Sequence, residues 1–523
     1  MTGEPQPNPK QPTNPNWLQR QLRRGRNQQA GDTITTQVGG HIEGANIVGS
    51  KNVIQIGTLQ IPMYLTVIIA GCAGIIALIA VVNTLWPFFQ PVARMTGQYN
   101  IAIARFGEED AQGRVRTTKD GLVLSKWVYD TLKKQYTENL DLASLGNVQI
   151  WSDTPDIPGK NITFGAIMGD TPAAREAAAD QLANKVGAHM VIYGYLQRAM
   201  DPSSLVLQFY IAPKLQPEVR GVLGGGYMLG EPIPIPHDFN VNNPLSNVAI
   251  GNDLKTRTAA LSYLTAGLTF SLLGRSKEAL AIFHAAEKGL PDWQDNADAG
   301  KEILYFFISR EALFLKQDKD AETAARKALS INPHYVRAEI VLGSVYALRA
   351  QRLPPEAQLK EPSDLAQALT TYAKAVDLAG QTQDLLMQSI AQLALASALR
   401  SEAQVYYVTK DLAKANATYA KAIADLQPLI PRLTTTQQYR LLGQAYAYLG
   451  IAYFQQSDVY RQQGNRANQK QQLEQARTAF ANCTEQEKNA PLDQLLKTEI
   501  IAKVCQPQQI NVENALHQAA GGG

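Results

Sequence analysis

The sequence predicts an α+β multidomain protein with a single transmembrane helix, a small α/β domain and a C-terminal all-α superhelix of repeated helix pairs. Three observations predict this class. No charged residue lies between Lys51 and Arg94, and residues 61–82 are almost wholly apolar. Strand-like alternation and helix-like spacing take turns over residues 98–215. From residue 253 onward, small and aromatic residues recur at the spacings of paired helices.

Composition bounds the function. The chain has 523 residues and a formal charge of +3, with 18% charged residues. That length holds two or three domains. The small net charge gives no basis for nucleic acid as a partner. Residues 1–30 form a polar tail rich in Pro, Asn and Gln with almost nothing to bury. Its basic stretch "RQLRRGR" either touches anionic headgroups or is a solvated linker.

Residues 31–57 alternate β-branched pieces (Ile34, Val38, Ile42, Ile47, Val48, Val53, Ile54) with turn-forming Gly and Asn. The pattern reads as short strands joined by tight turns. So few strands cannot bury a core alone, so order here calls for copies from neighbouring subunits. A flexible juxtamembrane stretch is the alternative. No nucleotide-binding glycine motif occurs in it.

Residues 61–85 read as the transmembrane helix. At 1.5 Å per residue, roughly 20 residues cross a bilayer core. The quartet Ile69-Ala70-Gly71-Cys72 looks like a lipoprotein cleavage site. However, some 60 residues precede the run, and the run continues past Cys72. A retained helix with a membrane-embedded thiol follows. Trp86 and Phe88 suit the headgroup level, and Pro87 ends the helix. Arg20, Arg23, Arg24, Arg26 and Lys51 orient the N-terminus to the cytoplasm and the bulk of the chain to the extracytoplasmic side.

Residues 98–240 read as a small α/β domain in the order β-α-β-α-β-β. "YNIAIARF", "NVQIW", "AHMVIYGYL" and "LVLQFYIAP" are strands. Leu122, Trp127, Leu132 and Tyr136 mark one helix. Thr171 and Pro172 open the other as cap and first residue. Gly221 to Pro244 reads as an irregular strand or connector. The strand after a span, followed by "AAADQLANKVGAHMVIYGYLQ" with Gly187 and Gly194, resembles the envelope domain of TolB N-terminal and FlgO-like proteins over residues 98–215. That resemblance implies an extracytoplasmic location and no catalytic residue.

Residues 253–523 carry the repeats. Tyr263, Ala266, Gly267 and Phe270 mark a first helix, and Ala279, Phe283 and Ala286 a second, with Pro291 closing the unit. Small residues permit close crossing, and the aromatics fill the space between helices. This pattern resembles the tetratricopeptide repeat (TPR). Tyr305, Ser309, Ala312, Ala321, Ala325, Ala328 and Pro333 repeat it. A third unit pairs Gly343 and Tyr346 with Ala368, Tyr372 and Ala375 across an insertion, "RLPPEAQLKEPSD". A degenerate fourth pairs Leu393, Ala394 and Ser397 with Ala415, Tyr419 and Ala422. The fifth pairs Leu449, Gly450 and Tyr453 with Ala476, Phe480 and Cys483. Either inserted loops or longer helices explain the late spacing. Residues 490–506 and the stretch "INVENALHQA" are expected capping helices. The resemblance implies a curved array whose concave face grips a protein or peptide. Gln388, Gln392, Lys410, Lys414, Gln437, Gln444 and Gln455 are the candidate partner-facing residues.

No catalytic, cofactor or metal site emerges. The six histidines are scattered, and neither H-E-x-x-H nor C-x-x-C occurs. His189 opens an apolar strand, where a core-edge role is expected. Asp153, Asp156 and Asp170 fall at strand ends, where α/β sheets hold ligands. Cys483 and Cys505 are expected as buried free thiols, with a disulfide in an oxidising space as the alternative. The reading is a membrane-anchored, non-enzymatic scaffold or sensor. A structural subunit of a homo-oligomeric envelope assembly is the alternative, and a hydrolase or transferase using the α/β domain comes third.

Overall fold

The computed structural model describes residues 53–56, 59–62, 94–138, 148–152, 164–198, 201–212, 222–236, 239–244, 248–296, 299–491, 493 and 495–521. The chain divides into two compact units, Met1–Pro91 and Val92–Gly523. In the first, strands β1 (Val53–Ile56) and β2 (Leu59–Pro62) pair antiparallel, with Val53 opposite Pro62 and Ile56 opposite Leu59. Ile61 and Pro62, where the transmembrane helix was expected to begin, therefore belong to a strand. The remainder of that expected helix, the polar tail and most of the glycine-rich segment lie outside the described residues. Among the described residues, no helix is long and apolar enough to cross a membrane.

The second unit opens with a mixed sheet. Its strands are β3 (Tyr99–Ile103), β4 (Gly107–Glu109), β5 (Val115–Thr117), β6 (Val148–Ser152), β7 (Met190–Gln197), β8 (Ser204–Ile211), β9 (Gly225–Met228) and β10 (Ile233–Pro234). The main path runs β10-β8-β7-β3-β6. β3 lies parallel to β6 and β7, while β8 is antiparallel to β7, β9 and β10. The hairpin β4–β5 is absent from the sequence expectation, and the expected connector after residue 221 contributes β9 and β10. Helices α1 (Lys119–Glu138) and α2 (Pro172–Val186) are the two crossovers. Thr171 caps α2 by accepting from the Ala174 N–H at 3.2 Å, and Gly187 ends it with φ 76°, a left-handed value that suits glycine.

Alternation along the strands sends residues to two faces. Ala102, Ala104, Val191 and Tyr193 meet Ala179, Leu182, Ala183 and Val186 of α2. Ile101, Ile103, Met190, Ile192 and Phe209 face the other way. They join one continuous core that holds Leu124, Val128 and Leu132 of α1 and extends into the first repeats, including Leu261, Phe283, Phe306 and Phe307.

The repeats are pairs of helices joined by short turns. The pairs are α3 (Val248–Leu272) with α4 (Ser276–Gly289), and α5 (Glu302–Phe314) with α6 (Asp318–Ile331). Next, α7 (Val336–Ala350) pairs with α9 (Asp364–Gln381), with the insertion between them carrying a single turn, α8 (Pro355–Gln358). Then α10 (Leu385–Val408) pairs with α11 (Leu412–Leu426), followed by the short α12 (Leu429–Thr435). The last pair is α13 (Tyr439–Gln462) with α14 (Arg466–Asn489). A π-helical stretch, Leu496–Cys505, leads directly into α15 (Gln506–Gly521) and closes the array.

The late spacing has a different cause in each unit. The third has an inserted segment, whereas the fifth has longer helices, 24 residues each. The fourth corrects the sequence reading. Ala403, not Ser397, packs against Ala415 and Tyr419 in a buried cluster. Ala403 precedes Ala415 by the same interval that separates Gly267 from Ala279. The unit is therefore regular, and α10 is extended at its N-terminal end.

The crossing of each pair is set by a small residue under an aromatic ring. A Cβ on Gly267 would lie 2.2 Å from the Phe283 ring, one on Gly343 2.7 Å from Tyr372, and one on Gly450 2.6 Å from Phe480. The second pair substitutes a hydroxyl, as Ser309 Oγ donates to Ala321 O at 2.7 Å.

Sheet and repeats are held by more than apolar contact. Arg337 on α7 is buried. Its guanidinium donates to the carbonyls of Val222, Gly224 (3.0 Å) and Gly226 (3.4 Å) and lies 4.2 Å from the Tyr227 ring centroid. Asp384 and Glu176 supply opposing charge.

Cys483 and Cys505 are joined as a disulfide, with 6.3 Å between Cα atoms. This replaces the expected pair of free thiols. Both cysteines are fully buried in the cluster that includes Leu473, Phe480 and Leu496, so the link ties α14 to the closing segment.

Gly267→Ala is expected to destabilise the second unit by about 1–3 kcal/mol, because the ring above it must move. Phe283→Leu in the same chain should recover part of that loss. A double-mutant cycle by thermal unfolding checks the coupling, and additivity of the two substitutions would contradict the crossing geometry.

Candidate functional site

The first helices of the last two pairs, α10 and α13, carry a run of neutral polar side chains among small residues. Helical spacing puts Arg400, Gln404 and Val408 on one stripe of α10. This stripe meets the inserted turn α8 and the end of α7. Between them lies a cleft of ≈ 240 Å³ lined by Gln351, Pro355, Gln358, Arg400, Gln404 and Val408, among others.

Hydrogen bonds fix the polar lining. Arg400 Nη1 donates to Gln455 Oε1 on α13 at 3.3 Å. Gln455 Nε2 donates to Gln404 Oε1 at 3.3 Å, and Tyr419 OH donates to the same oxygen at 2.9 Å. Further along α10, Arg432 of α12 donates to Gln388 Oε1 at 3.0 Å and Gln392 Oε1 at 3.4 Å. Amide side chains here bridge helices without adding charge.

The seven candidate partner-facing residues are thus placed in three settings. Gln388, Gln392 and Gln455 take part in the interhelical bonds just described. Gln444 donates to Tyr448 OH at 2.9 Å within α13. Lys410 and Gln437 occupy turns, with φ 68° and 55°, and Lys410 lies 5.8 Å from the Tyr407 ring centroid. Lys414 pairs with Asp411 at 3.2 Å across the same turn. Arg400, which the sequence reading passed over, reaches the cleft because it shares a stripe of the C-terminal half of α10 with Gln404 and Val408, opposite the inserted turn.

Outside this face several ionisable groups are built into packing. His189 stacks on Tyr99, with 5.5 Å between ring centroids, and its Nδ1 accepts from the Asn100 N–H at 3.0 Å. Burial lowers its pKa to about 4, so it is neutral at pH 7. Arg175 and Glu109 form a buried pair at 3.1 Å, with Gln197 also bonded to Glu109. Asp170 is exposed, whereas Asp153 and Asp156 lie outside the described residues. Among the described residues there is no group of three or more His, Cys, Asp or Glu that could hold a metal ion.

Glu302, at the start of α5, is the buried carboxyl with the largest consequence. One oxygen, Oε2, is enclosed with no hydrogen-bond partner. Burial raises its pKa to about 7; Glu231 adds repulsion, while its own backbone N–H, Asn332 and Arg257 partly offset the rise.

No family model matches the chain, and no curated protein matches it. Among solved structures, a thermophilic TPR protein from Thermus thermophilus overlaps 50% of this chain and 98% of its own, at 16% identity and a TM-score of 0.27. PilW, a widely conserved type IV pilus biogenesis factor, overlaps 49% of this chain and 98% of its own, at 14% identity and a TM-score of 0.26. The assignment of TPR-like helical repeats rests on the pairs and crossings described above.

Glu302 makes stability depend on pH with a defined sign. Its folded pKa is raised above the ordinary value near 4.5, so stability is greatest below that value and is lost as pH rises through about 7. Glu302→Gln should therefore raise the melting temperature at pH 8 and change it little at pH 5. The shift corresponds to at most about 3 kcal/mol. Equal effects at the two pH values in thermal unfolding would contradict this.

Proposed function

We propose that the chain is a membrane-anchored, non-enzymatic scaffold or sensor whose repeats hold a protein partner on their concave face, on the extracytoplasmic side. The observation that carries the reading is the polar, hydrogen-bonded face of α10 and α13, beside which a cleft opens towards the inserted turn α8. A face built from amides and tyrosines suits polar peptide backbone and side chains. Its fixed rotamers reduce the ordering cost of binding.

Three features support the location. Residues 61–82 are uncharged and apolar, and those beyond the strand that ends at Pro62 still number about 20, enough to span a bilayer core. The Cys483–Cys505 disulfide suits an oxidising compartment. Residues 98–215 resemble the TolB and FlgO-like envelope domains. The candidate residues Gln388, Gln392, Lys410, Lys414, Gln437, Gln444 and Gln455 belong to this proposal as the rim and floor of the partner surface.

The β1–β2 hairpin favours a second reading, a structural subunit of a homo-oligomeric assembly. Two strands alone are marginal in water, and copies from neighbouring chains would complete the sheet. Mass measurement of the full chain in mild detergent separates the two, since a monomer excludes the assembly.

Photo-crosslinking residues introduced at Lys410 and Gln444 in intact cells are expected to capture a protein, while positions on the outer helix α14, such as Lys470, should not. Capture from both faces alike, or from neither, removes the scaffold reading. Thiol alkylation of intact cells before lysis should leave Cys483 and Cys505 unmodified and joined. Alkylation of both would place the array in a reducing compartment.

A further inference from the structure

Arg400 differs from the arginines of the array that are paired with carboxylates, and it shares with Arg432 a setting of neutral amides. Arg310 contacts Glu311, Arg349 meets Glu322 and Asp364, and Arg440 meets Asp493 at 2.8 Å. Arg400 is half-buried, yet among the described residues it meets no carboxylate. Its one hydrogen bond goes to the neutral amide of Gln455 at 3.3 Å, and its Nε is enclosed with no partner. A guanidinium carries five donors in a planar fork. Enclosing the Nε of that fork without an acceptor costs stability, and an anion bound at the fork would offset the cost.

The surroundings select the kind of anion. Gln404, the nearest amide on the stripe, has its oxygen occupied by Tyr419 and Gln455. A carboxylate at Arg400 would therefore compete with one neutral acceptor, the Gln455 oxygen at 3.3 Å. Beyond it the cleft turns apolar, with Val405, Val408 and Pro355, and Val408 is 46% exposed. Along α10, Arg400 and Val408 are separated by about 12 Å at 1.5 Å per residue. The volume of ≈ 240 Å³ suits a few side chains and not a folded domain.

We propose that this cleft binds an acidic side chain, Asp or Glu, of a partner peptide at Arg400, with an apolar side chain of the same peptide resting on Val405 and Val408. The inference rests on the scaffold reading and names what the repeats recognise. The insertion that delays the third unit forms the opposite wall of the cleft, which gives the inserted turn α8 a role.

The test uses the full chain in mild detergent and a set of fluorescent, acetylated and amidated heptapeptides. Each carries one Glu and one Leu at spacings from one to six in an alanine and glycine background. Glu→Gln peptides remove the charge, and Gln peptides with a free C-terminus supply a carboxylate from another source. Fluorescence anisotropy should show binding that is best at one Glu–Leu spacing and weakened about tenfold or more in the Gln peptide. Arg400→Met should bring Glu and Gln peptides to the same affinity. Val408→Ser, at an exposed position, should weaken both without removing the Glu preference.

Equal binding of Glu and Gln peptides to the wild-type chain, or an unchanged Glu preference in Arg400→Met, overturns the proposal. Preference for the free C-terminus over the internal Glu overturns it as well. Loss of the peptide effect with crosslinks at Lys410 and Gln444 intact defeats this inference alone. Loss of those crosslinks defeats the scaffold reading.

Discussion

The second unit depends on a chain of aromatic rings that begins in the sheet and ends at a glycine. Phe209 of β8 stacks on Tyr227 of β9 at 4.7 Å. Tyr227 meets Phe307 of α5 at 5.7 Å, and Phe307 stacks on Phe283 of α4 at 5.4 Å. Phe283 then lies over Gly267 of α3. Rings of this size bury large apolar areas, and their contacts demand defined separations. Position therefore passes from strand to helix to helix with little slack. The sheet and the first two helix pairs share a core because these rings leave no water-filled boundary between them.

From that anchored end the array grows by repeating one crossing rule, a small residue beneath a larger one. The rule tolerates wide variation elsewhere. The third pair carries an inserted turn, the fourth an extended first helix, and the fifth two long helices. These variations change the surface without disturbing the crossings. The polar face and its cleft arise where an extended helix and an inserted turn lie side by side. The far end is closed differently, by a disulfide and a π-helical segment that seals the last apolar surface against solvent.

Much of this was legible in the sequence because close packing constrains residue size. Gly267, Gly343 and Gly450 announced the crossings, and Thr171 with Pro172 announced a helix start. The hairpin β4–β5 was not legible, because three-residue strands are too short to show a period of two. The register of the fourth pair was misread because Ser397 and Ala403 are both small, and only packing against Tyr419 distinguishes them. Gln388, Gln392 and Gln455 read as partner-facing, and their amides also bond neighbouring helices, a contact invisible in the sequence because it depends on which helix lies opposite. Arg337 and Arg400 sit in otherwise similar helices, and only tertiary structure shows that one is saturated by carbonyls and the other bonds a single neutral amide.

The saturation of Arg337 has a consequence for how the molecule behaves in a crowd. The carbonyls of Gly224 and Gly226 that it engages point away from β8, along the open border of β9. Such a border is where a foreign strand would add itself and begin an aggregate. By placing a guanidinium from its own helical array there, the chain occupies the acceptors that an intruding strand would need. Self-association through that margin is closed off by the same side chain that fastens the two halves of the unit together.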